Sequence, residues 1–215
     1  MSNTKKSQRA AEVGERLRKT YPHPRTALNW SSPLELLVAT MLSAQTTDAG
    51  VNRVTERLFT KYKSAADYAA ASQTDMEQDL HATGFYRQKA RNVISTGQIL
   101  VERFGGQVPD DMDALQELPG VARKTANVVL GNAYGKAEGI AVDRHVARVI
   151  ARLKLTDHTD PADIERDLMR MIPRADWTDF SHRIIFHGRE VCTARAPRCR
   201  QCQLNDICPS AFIVQ

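Results

Sequence analysis

The sequence predicts an all-α protein, and three observations support that fold class. Apolar residues recur at the i, i+3, i+4 and i+7 spacing of one helix face in most segments of the chain. No segment shows the convincing apolar–polar alternation of a half-buried strand. Serine or aspartate stands immediately before several of the apolar stripes, where a short polar side chain caps a helix.

The composition of the 215-residue chain excludes several classes of protein. Charged residues make up 26% and hydrophobic residues 42%, as in ordinary globular proteins. No run of about 18 apolar residues is present, and the N-terminus lacks the apolar segment of a signal peptide. We therefore expect a cytoplasmic protein with no membrane partner. Its net charge of +5 favours a polyanionic partner.

The predicted helices of the first half follow one another closely. A modestly amphipathic helix covers residues 7–19. Ser32 and Glu35 form a capping box around Pro33, which starts the next helix, and an apolar stripe follows as far as Leu42. Further helices are predicted near residues 51–59, 64–71, 74–82 and 93–104, the last one closed by Gly105 and Gly106.

Two short helices meet at a tight turn in the second half. The first helix covers residues 110–118, and Pro119 ends it because proline cannot continue a helix, while Gly120 tolerates the turn. The second helix carries an apolar stripe from Ala126 to Ala133. The stretch across the turn is Leu118-Pro119-Gly120-Val121-Ala122-Arg123-Lys124.

This turn has the features of a phosphate-binding site. The first N–H groups of the second helix lack intrahelical partners, and together with the helix dipole they form a seat for one phosphate. Lys124 lies in the first turn of that helix, where the positive end of the dipole favours a neutral, nucleophilic amine. A plain connection between two helices is the alternative interpretation of the turn.

The last predicted helices follow the hairpin. Asp143 can cap a helix whose apolar face begins at Val146. Asp160 and Pro161 start another helix, and residues 174–190 form the last one.

All four cysteines fall within the last 24 residues, in a C-x6-C-x2-C-x5-C spacing. Disulfides do not suit a chain without an export signal. Structural zinc usually takes two close cysteine pairs, whereas only one pair here is so spaced. Four thiolates in a compact loop suit a [4Fe–4S] cluster. The four candidate ligands are Cys192, Cys199, Cys202 and Cys208.

The hairpin and the cysteine tail together resemble the endonuclease III family of helix-hairpin-helix DNA glycosylases. The resemblance covers nearly the whole chain after about Pro24, and the cysteine spacing is like that of the family. One position departs from the family pattern. Ala122 stands where a second glycine is common, which reduces the backbone freedom of the phosphate grip.

The resemblance implies two domains and a DNA partner. A helical barrel over residues 26–136 contains the hairpin, and a second domain formed by residues 1–25 and 137–215 holds the [4Fe–4S] cluster. In the family a DNA-facing cleft runs between the domains, which implies Lys124 on one wall and Asp143 on the other. The implied partner is double-stranded DNA with damaged or abasic sites, bound by a monomer. Composition alone favours a single domain.

The resemblance also implies an activity, that of a bifunctional DNA glycosylase/AP lyase that removes oxidised pyrimidines in base excision repair. An enzyme that cleaves the bond between base and sugar must extrude the nucleotide from the duplex. Lys124 suits attack on C1′ and formation of a Schiff base, after which the 3′-phosphate leaves by β-elimination. Asp143, in the segment Val142-Asp143-Arg144-His145, takes the lysine proton or stabilises positive charge on the sugar. The alternative interpretation of Asp143 is that it only caps a helix.

Two loops resemble the wedges that such enzymes insert into the duplex. Gln45 matches the position of a side chain that fills the gap left by the extruded nucleotide. Phe85, in the loop Thr83-Gly84-Phe85-Tyr86, matches an apolar side chain that unstacks the opposite strand. Core packing is the alternative for Phe85. Asp48 is expected to cap the helix that follows the first loop.

Basic residues near the cysteines predict further phosphate contacts. Arg195, Arg198 and Arg200 lie between or beside the ligands and form a basic loop. With them, Gly120 and Ala122 of the hairpin are the expected DNA-binding residues.

Three questions stay open at this point. A monofunctional mismatch glycosylase is one rival function, although Lys124 argues against it, and a non-catalytic DNA-binding protein with a structural metal is another. Residues 1–25 carry seven Lys and Arg against two Glu, and they form either a solvated tail or a DNA-contacting arm.

Overall fold

The computed structural model describes residues 3–213 and confirms the all-α prediction. These residues form eleven α-helices and three short 3₁₀ turns, with no β-strand among them. None of the described helices is long and apolar enough to cross a membrane. The chain divides into two compact units, Thr26–Lys136 and a second unit built from the described residues up to Arg25 and from Ala137 onward. The single domain favoured by composition is therefore wrong, because composition carries no information about long-range contacts.

The unit Thr26–Lys136 packs seven helices around one apolar core. Most of the core residues are leucine, valine and alanine from the apolar stripes of these helices. The helices are α2 (Pro33–Leu42), α3 (Asp48–Lys61), α4 (Ala65–Ala70), α5 (Gln73–Leu80), α6 (Tyr86–Phe104), α7 (Met112–Gln116) and α8 (Arg123–Ala133).

Helix α2 begins as the capping residues predict, with one difference. The Ser32 hydroxyl accepts a hydrogen bond from the Glu35 backbone N–H at 3.2 Å, and Pro33 occupies the first turn. The Glu35 carboxylate, however, accepts from the backbone N–H of Ser31 at 2.6 Å. In the predicted capping box the Glu35 carboxylate would accept from the N–H of Ser32, whereas here it accepts from the N–H of the preceding residue. Residues 36–42 of α2 are all buried, so the helix is covered on more than one face.

Helices α4 and α6 pack so closely that only glycine fits at their crossing. A Cβ atom on Gly97 of α6 would lie 2.7 Å from the Ala69 backbone nitrogen and 2.9 Å from the Ala65 carbonyl oxygen. These are backbone atoms that cannot swing aside. Helix α6 begins at Tyr86, seven residues before the predicted apolar stripe. The sequence analysis missed its first two turns because most of their residues are polar or small.

The second unit has its own apolar core. Ser181 of its last helix donates a buried hydrogen bond to the Ala141 carbonyl at 2.7 Å. Asp160 caps the third helix of the unit through Ala162 N–H at 2.9 Å, with Pro161 in the first turn, as predicted. A 3₁₀ turn over Arg174–Asp176 precedes the last helix. The helices are α1 (Asn3–Thr20), α9 (Arg144–Arg152), α10 (Pro161–Met171) and α11 (Trp177–Glu190).

The basic N-terminal segment is a packed helix. Ala10, Val13 and Leu17 of α1 are fully buried in the core of this unit. Three of its cations form ion pairs with residues far along the chain: Lys6 with Asp157, Arg16 with Asp206 and Arg18 with Asp176. The interpretation of residues 1–25 as a solvated tail is therefore wrong for the described part, because an apolar stripe anchors it.

We expect Gly97→Ala to destabilise the protein and Gly14→Ala to stabilise it. At Gly97 the added methyl group meets backbone atoms, and overpacking of this kind costs about 1–3 kcal/mol. At Gly14, in α1, a Cβ atom meets nothing within 4 Å, so alanine gains roughly 0.5–1 kcal/mol of helix propensity. Urea unfolding of both variants measures the two effects. Equal shifts in the same direction would contradict the packing argument.

Candidate functional site

The hairpin turn forms as the sequence predicts. The Val121 N–H donates to the Leu118 carbonyl at 3.0 Å, and Gly120 adopts φ +79°, a left-handed conformation that favours glycine. Ala122 is the N-cap of α8, and its methyl side chain cannot accept hydrogen bonds from the first helical N–H groups. The first N–H groups of α8 therefore lack a side-chain cap from this position, which suits an external anion.

Lys124 lies in the first turn of α8, and its side chain is exposed. The protein by itself does not remove this amine from water. Desolvation of Lys124 has to come from a bound ligand that covers the start of the helix.

Asp143 caps α9, as its position predicts. Its Oδ1 atom accepts hydrogen bonds from the backbone N–H groups of His145 and Val146, each at 2.8 Å. The cap holds the half-buried carboxylate in one orientation and does not use Oδ2. Burial lowers the pKa of His145, the neighbour of this carboxylate in the same segment.

Gln45 and Phe85 occupy the tips of two loops. The Gln45 loop, residues 43–47, connects α2 to α3, and the Phe85 loop, residues 81–85, connects α5 to α6. Both tip residues have positive φ angles, 56° for Gln45 and 47° for Phe85. Phe85 is 66% exposed, so the alternative of core packing is wrong. Thr47, with its hydroxyl at 3.2 Å from the Gly50 N–H, caps α3 in place of Asp48, which is the first helical residue.

Three of the predicted DNA-binding residues lie around one pocket. Gln45, Phe85 and Gly120 line a pocket of about 210 Å³ within the unit Thr26–Lys136. Asn92 completes the side next to the hairpin, since a Cβ atom on Gly120 would lie only 2.4 Å from its amide nitrogen. Gln88 donates to the Asn92 side-chain oxygen at 2.8 Å. The pocket thus combines an exposed aromatic ring with three side-chain amides.

Lys89 is a functional candidate that the sequence analysis missed. It is 6% exposed, and its ammonium group donates to the Leu42 carbonyl at 2.8 Å, the Thr46 hydroxyl at 2.9 Å and the Thr83 carbonyl at 2.7 Å. Burial lowers the pKa of Lys89 to about 8. The sequence feature that could have revealed its burial was its helical spacing, since Lys89 lies four residues before Val93 on the apolar face of α6.

The four cysteines line one pocket at the end of the second unit. None of them forms a disulfide, so the pairing alternative is not realised. Burial raises the pKa of the Cys202 thiol to about 11 and also raises the pKa of the Cys208 thiol. Within residues 3–213, no three Cys, His, Asp or Glu side chains already converge on a single metal position.

Two arginines of α9 hold the loop that begins the cysteine segment. Arg148 donates to the carbonyls of Gly188 at 2.7 Å and Cys192 at 3.0 Å. Arg152 donates to the Thr193 carbonyl at 2.7 Å and lies 3.2 Å from the Cys192 sulfur. Sequence reasoning missed both, although the i, i+4 spacing of arginines on α9 was the available signal. Positive charge beside a cysteine sulfur suits a thiolate ligand.

Arg195, Arg198 and Arg200 differ from these inward-facing arginines. All three side chains are exposed. Their guanidinium groups are available to an external anion.

Comparisons with known proteins agree with this geometry. The model of the HhH-GPD superfamily of base excision DNA repair proteins matches residues 38–174. Endonuclease III of Synechocystis sp. is 52% identical over 96% of this chain and 94% of its own. Two solved structures, a non-covalent endonuclease III–DNA complex and a trapped endonuclease III–DNA covalent intermediate, are each similar with a TM-score of 0.91 and 42% identity. Each covers 95% of this chain and 96% of its own.

The lowered pKa of Lys89 predicts a pH-dependent gain in stability. Between about pH 8 and the ordinary lysine value of 10.5, the unfolded chain binds more protons at this site than the folded protein, so stability rises with pH. Relative to Lys89→Met, the wild-type free energy of unfolding should rise by about 2 kcal/mol from pH 7 to pH 9.5. Urea unfolding at a series of pH values measures the difference. A difference that is constant with pH would contradict the burial of a charged amine.

Proposed function

The chain belongs to the endonuclease III family of HhH-GPD base excision DNA repair proteins, and from this premise we propose that it is a bifunctional DNA glycosylase and AP lyase. Its proposed substrates are oxidised pyrimidines in duplex DNA, and it cleaves the strand by β-elimination. The observation that carries this proposal is the likeness, at a TM-score of 0.91, to a trapped covalent endonuclease III–DNA complex. A covalent complex requires a nucleophile, and Lys124 is the exposed amine at the start of the hairpin helix.

In the proposed reaction, Lys124 in its neutral form attacks C1′ of the extruded nucleotide. The new nitrogen–carbon bond replaces the bond to the base, which leaves with the bonding electron pair. Loss of a proton from the nitrogen and opening of the sugar give a Schiff base. Removal of the C2′ proton then supplies an electron pair that forms a carbon–carbon double bond, while the C3′–O bond breaks and the 3′-phosphate leaves with the electron pair of that bond. Water releases the sugar fragment and restores the lysine.

Asp143 is proposed to accept the lysine proton and to stabilise positive charge on the sugar. Two backbone N–H groups, both on Oδ1, hold its carboxylate in place. This arrangement fits a proton acceptor of defined orientation. The cap and the catalytic role are compatible because they use different oxygens.

The DNA-binding residues are proposed to act in two groups. Gln45 and Phe85 fill the space left in the duplex and unstack the opposite strand, since both side chains are exposed at loop tips. The start of α8, with Gly120 and Ala122, binds one phosphate, and the exposed arginines bind further phosphates. Those arginines are Arg195, Arg198 and Arg200.

We propose a [4Fe–4S] cluster as the cofactor. Its ligands are the four cysteines that line one pocket, and Arg152 beside the Cys192 sulfur offsets the negative charge of thiolates. The cluster supplies a covalent staple for the C-terminal segment and takes no part in bond cleavage. The protein itself is proposed to act as a monomer on chromosomal DNA in the cytoplasm.

Covalent trapping tests the nucleophile. With DNA that contains an abasic site, borohydride should reduce the Schiff base to an adduct carried on Lys124, without added Mg²⁺. Lys124→Ala should lose trapping and strand cleavage by at least about a thousandfold while still binding lesion DNA. Lys136→Ala, which removes an exposed lysine of the same unit, is the matched control. An adduct on Lys89, Lys136 or the N-terminal amine would overturn the assignment, and base release without any adduct would favour a monofunctional glycosylase.

Asp143→Asn should slow base release steeply, by about 10²–10⁴-fold, because an amide keeps the cap oxygen but does not accept the proton. Single-turnover excision from a duplex with one oxidised pyrimidine measures this rate. Asp160→Asn, the same change at the cap of α10, is the control for loss of a capping charge. Equal effects of the two substitutions on excision would show that Asp143 is a cap only.

Metal analysis tests the cofactor. Purified protein should be brown and contain about four irons per chain, as Cys₄ ligation of a [4Fe–4S] cluster requires. Cys202→Ala should lower iron content and impair folding or DNA binding before it affects the chemistry. If the protein contained stoichiometric zinc and no iron, the cysteines would form a structural zinc site and the cluster proposal would be wrong.

A further inference from the structure

Lys89 is a buried cation with all of its donors in use. An ammonium group donates three hydrogen bonds, and Lys89 makes three, at 2.7–2.9 Å. Two of its acceptors are carbonyl oxygens and one is a hydroxyl, so none of these three hydrogen-bond partners is a carboxylate. Removing a cation from water without an anionic partner is unfavourable for folding. The residue therefore needs an explanation other than core stability.

The three acceptors of Lys89 belong to the two loops that carry the proposed wedges. Leu42 is the last residue of α2, directly before the Gln45 loop, and Thr46 lies within that loop. Thr83 lies in the Phe85 loop. The Thr46 hydroxyl, which accepts from Lys89, also donates to the Thr83 carbonyl. Lys89 and Thr46 thus close a ring of hydrogen bonds that joins one loop to the other.

Both loop tips are in a conformation that needs external support. A positive φ angle is unfavourable for a residue with a Cβ atom, and it persists only where the surrounding structure enforces it. Gln45 lies one residue before Thr46, and Phe85 lies two residues after Thr83. The Phe85 carbonyl in turn accepts from the backbone N–H of Lys89 at 3.1 Å. The ring of bonds therefore holds each strained tip from an adjacent position.

We propose that Lys89 is a positioning residue that locks the Gln45 loop and the Phe85 loop to each other, so that Gln45 and Phe85 are both presented at the pocket between them. The inference rests on the proposed function, because it assigns these two side chains to the opened duplex. Lys89 lines the same pocket as Gln45 and Phe85, and the role assigned to it there is to hold both loops. A lysine fits this role since a single ammonium group can bind three oxygens from two different segments.

The same geometry argues against Lys89 as a second nucleophile. Its nitrogen is buried, and each of its three N–H bonds is directed at an oxygen. Burial lowers the pKa of the amine, but attack on a sugar carbon would require its nitrogen to give up at least one of these hydrogen bonds. The lowered pKa is the expected consequence of the unneutralised charge.

Hydrogen exchange tests the lock independently of any activity. Two variants break the ring at different points: Lys89→Met removes the ammonium at nearly constant volume, and Thr46→Val removes the bridging hydroxyl. Lys63→Met, at an exposed lysine of the same unit, is the control. Mass spectrometry of peptides that cover residues 42–47 and 81–88 should show faster amide exchange in both segments for both variants. The control should match the wild type in both segments.

Activity measurements on two substrates provide the second test. Lys89→Met should lower excision of an oxidised pyrimidine from a duplex by about ten- to a hundredfold, because misplaced side chains no longer hold the stack open. Cleavage at a preformed abasic site, where the base is already gone, should change by less than about threefold. Gln45→Ala should give the same pattern, and adding it to Lys89→Met should cause little further loss, as expected for residues that act as one unit.

Each result decides the proposal. Faster exchange in both segments together with selective loss of duplex excision supports it. Unchanged exchange, faster exchange in one segment only, or equal loss on both substrates overturns it. Thr46→Val keeps the lysine and carries the test if Lys89→Met does not fold. If the wild type neither excises bases nor forms an adduct, the proposed function fails, and hydrogen exchange alone decides whether Lys89 positions the loops.

Discussion

The candidate site depends on one constraint, which is that the backbone groups at helix ends need hydrogen-bond partners. The first N–H groups and last carbonyls of every helix need partners, because the helix itself cannot supply them. In this protein the partners at several helix ends are the side chains with proposed functions. Asp143 satisfies the start of α9, Lys89 satisfies the end of α2, and Arg148 satisfies a carbonyl near the end of α11. The start of α8 differs, since its N-cap is an alanine.

The start of α8, which is proposed to bind DNA, shares the lack of a side-chain cap with the starts of α6 and α11 and differs in this from the capped helices. Ser32, Asp111 and Asp160 cap their helices with their own side chains, so at least one N–H group at each of these ends has a partner within the protein. Ala122 cannot accept a hydrogen bond, and Gly120 brings the chain to this helix through a left-handed turn. An anion that approaches α8 therefore meets N–H groups and an exposed lysine without first displacing a cap.

Cations serve two distinct roles in the molecule. Lys89, Arg148 and Arg152 point inward and donate to carbonyl oxygens, which hold loops in defined positions. Arg195, Arg198 and Arg200 point outward from the loop that the inward-facing arginines hold. Charge does not distinguish the two groups, because both consist of cations. The extent of burial distinguishes the two groups. It also determines what is expected when a residue of either group is replaced.

The sequence by itself determined the helical class, most helix starts and the hairpin. These depend on local spacing, on short polar caps and on proline and glycine, all of which act within a few residues. It did not reveal that Thr47 rather than Asp48 caps α3, since both residues can cap and only the backbone conformation selects one. The exposure of Phe85, the buried Lys89 and the packing of α1 were decided by tertiary structure. Each of them depends on contacts between segments distant in the chain, and local propensity carries no information about such contacts.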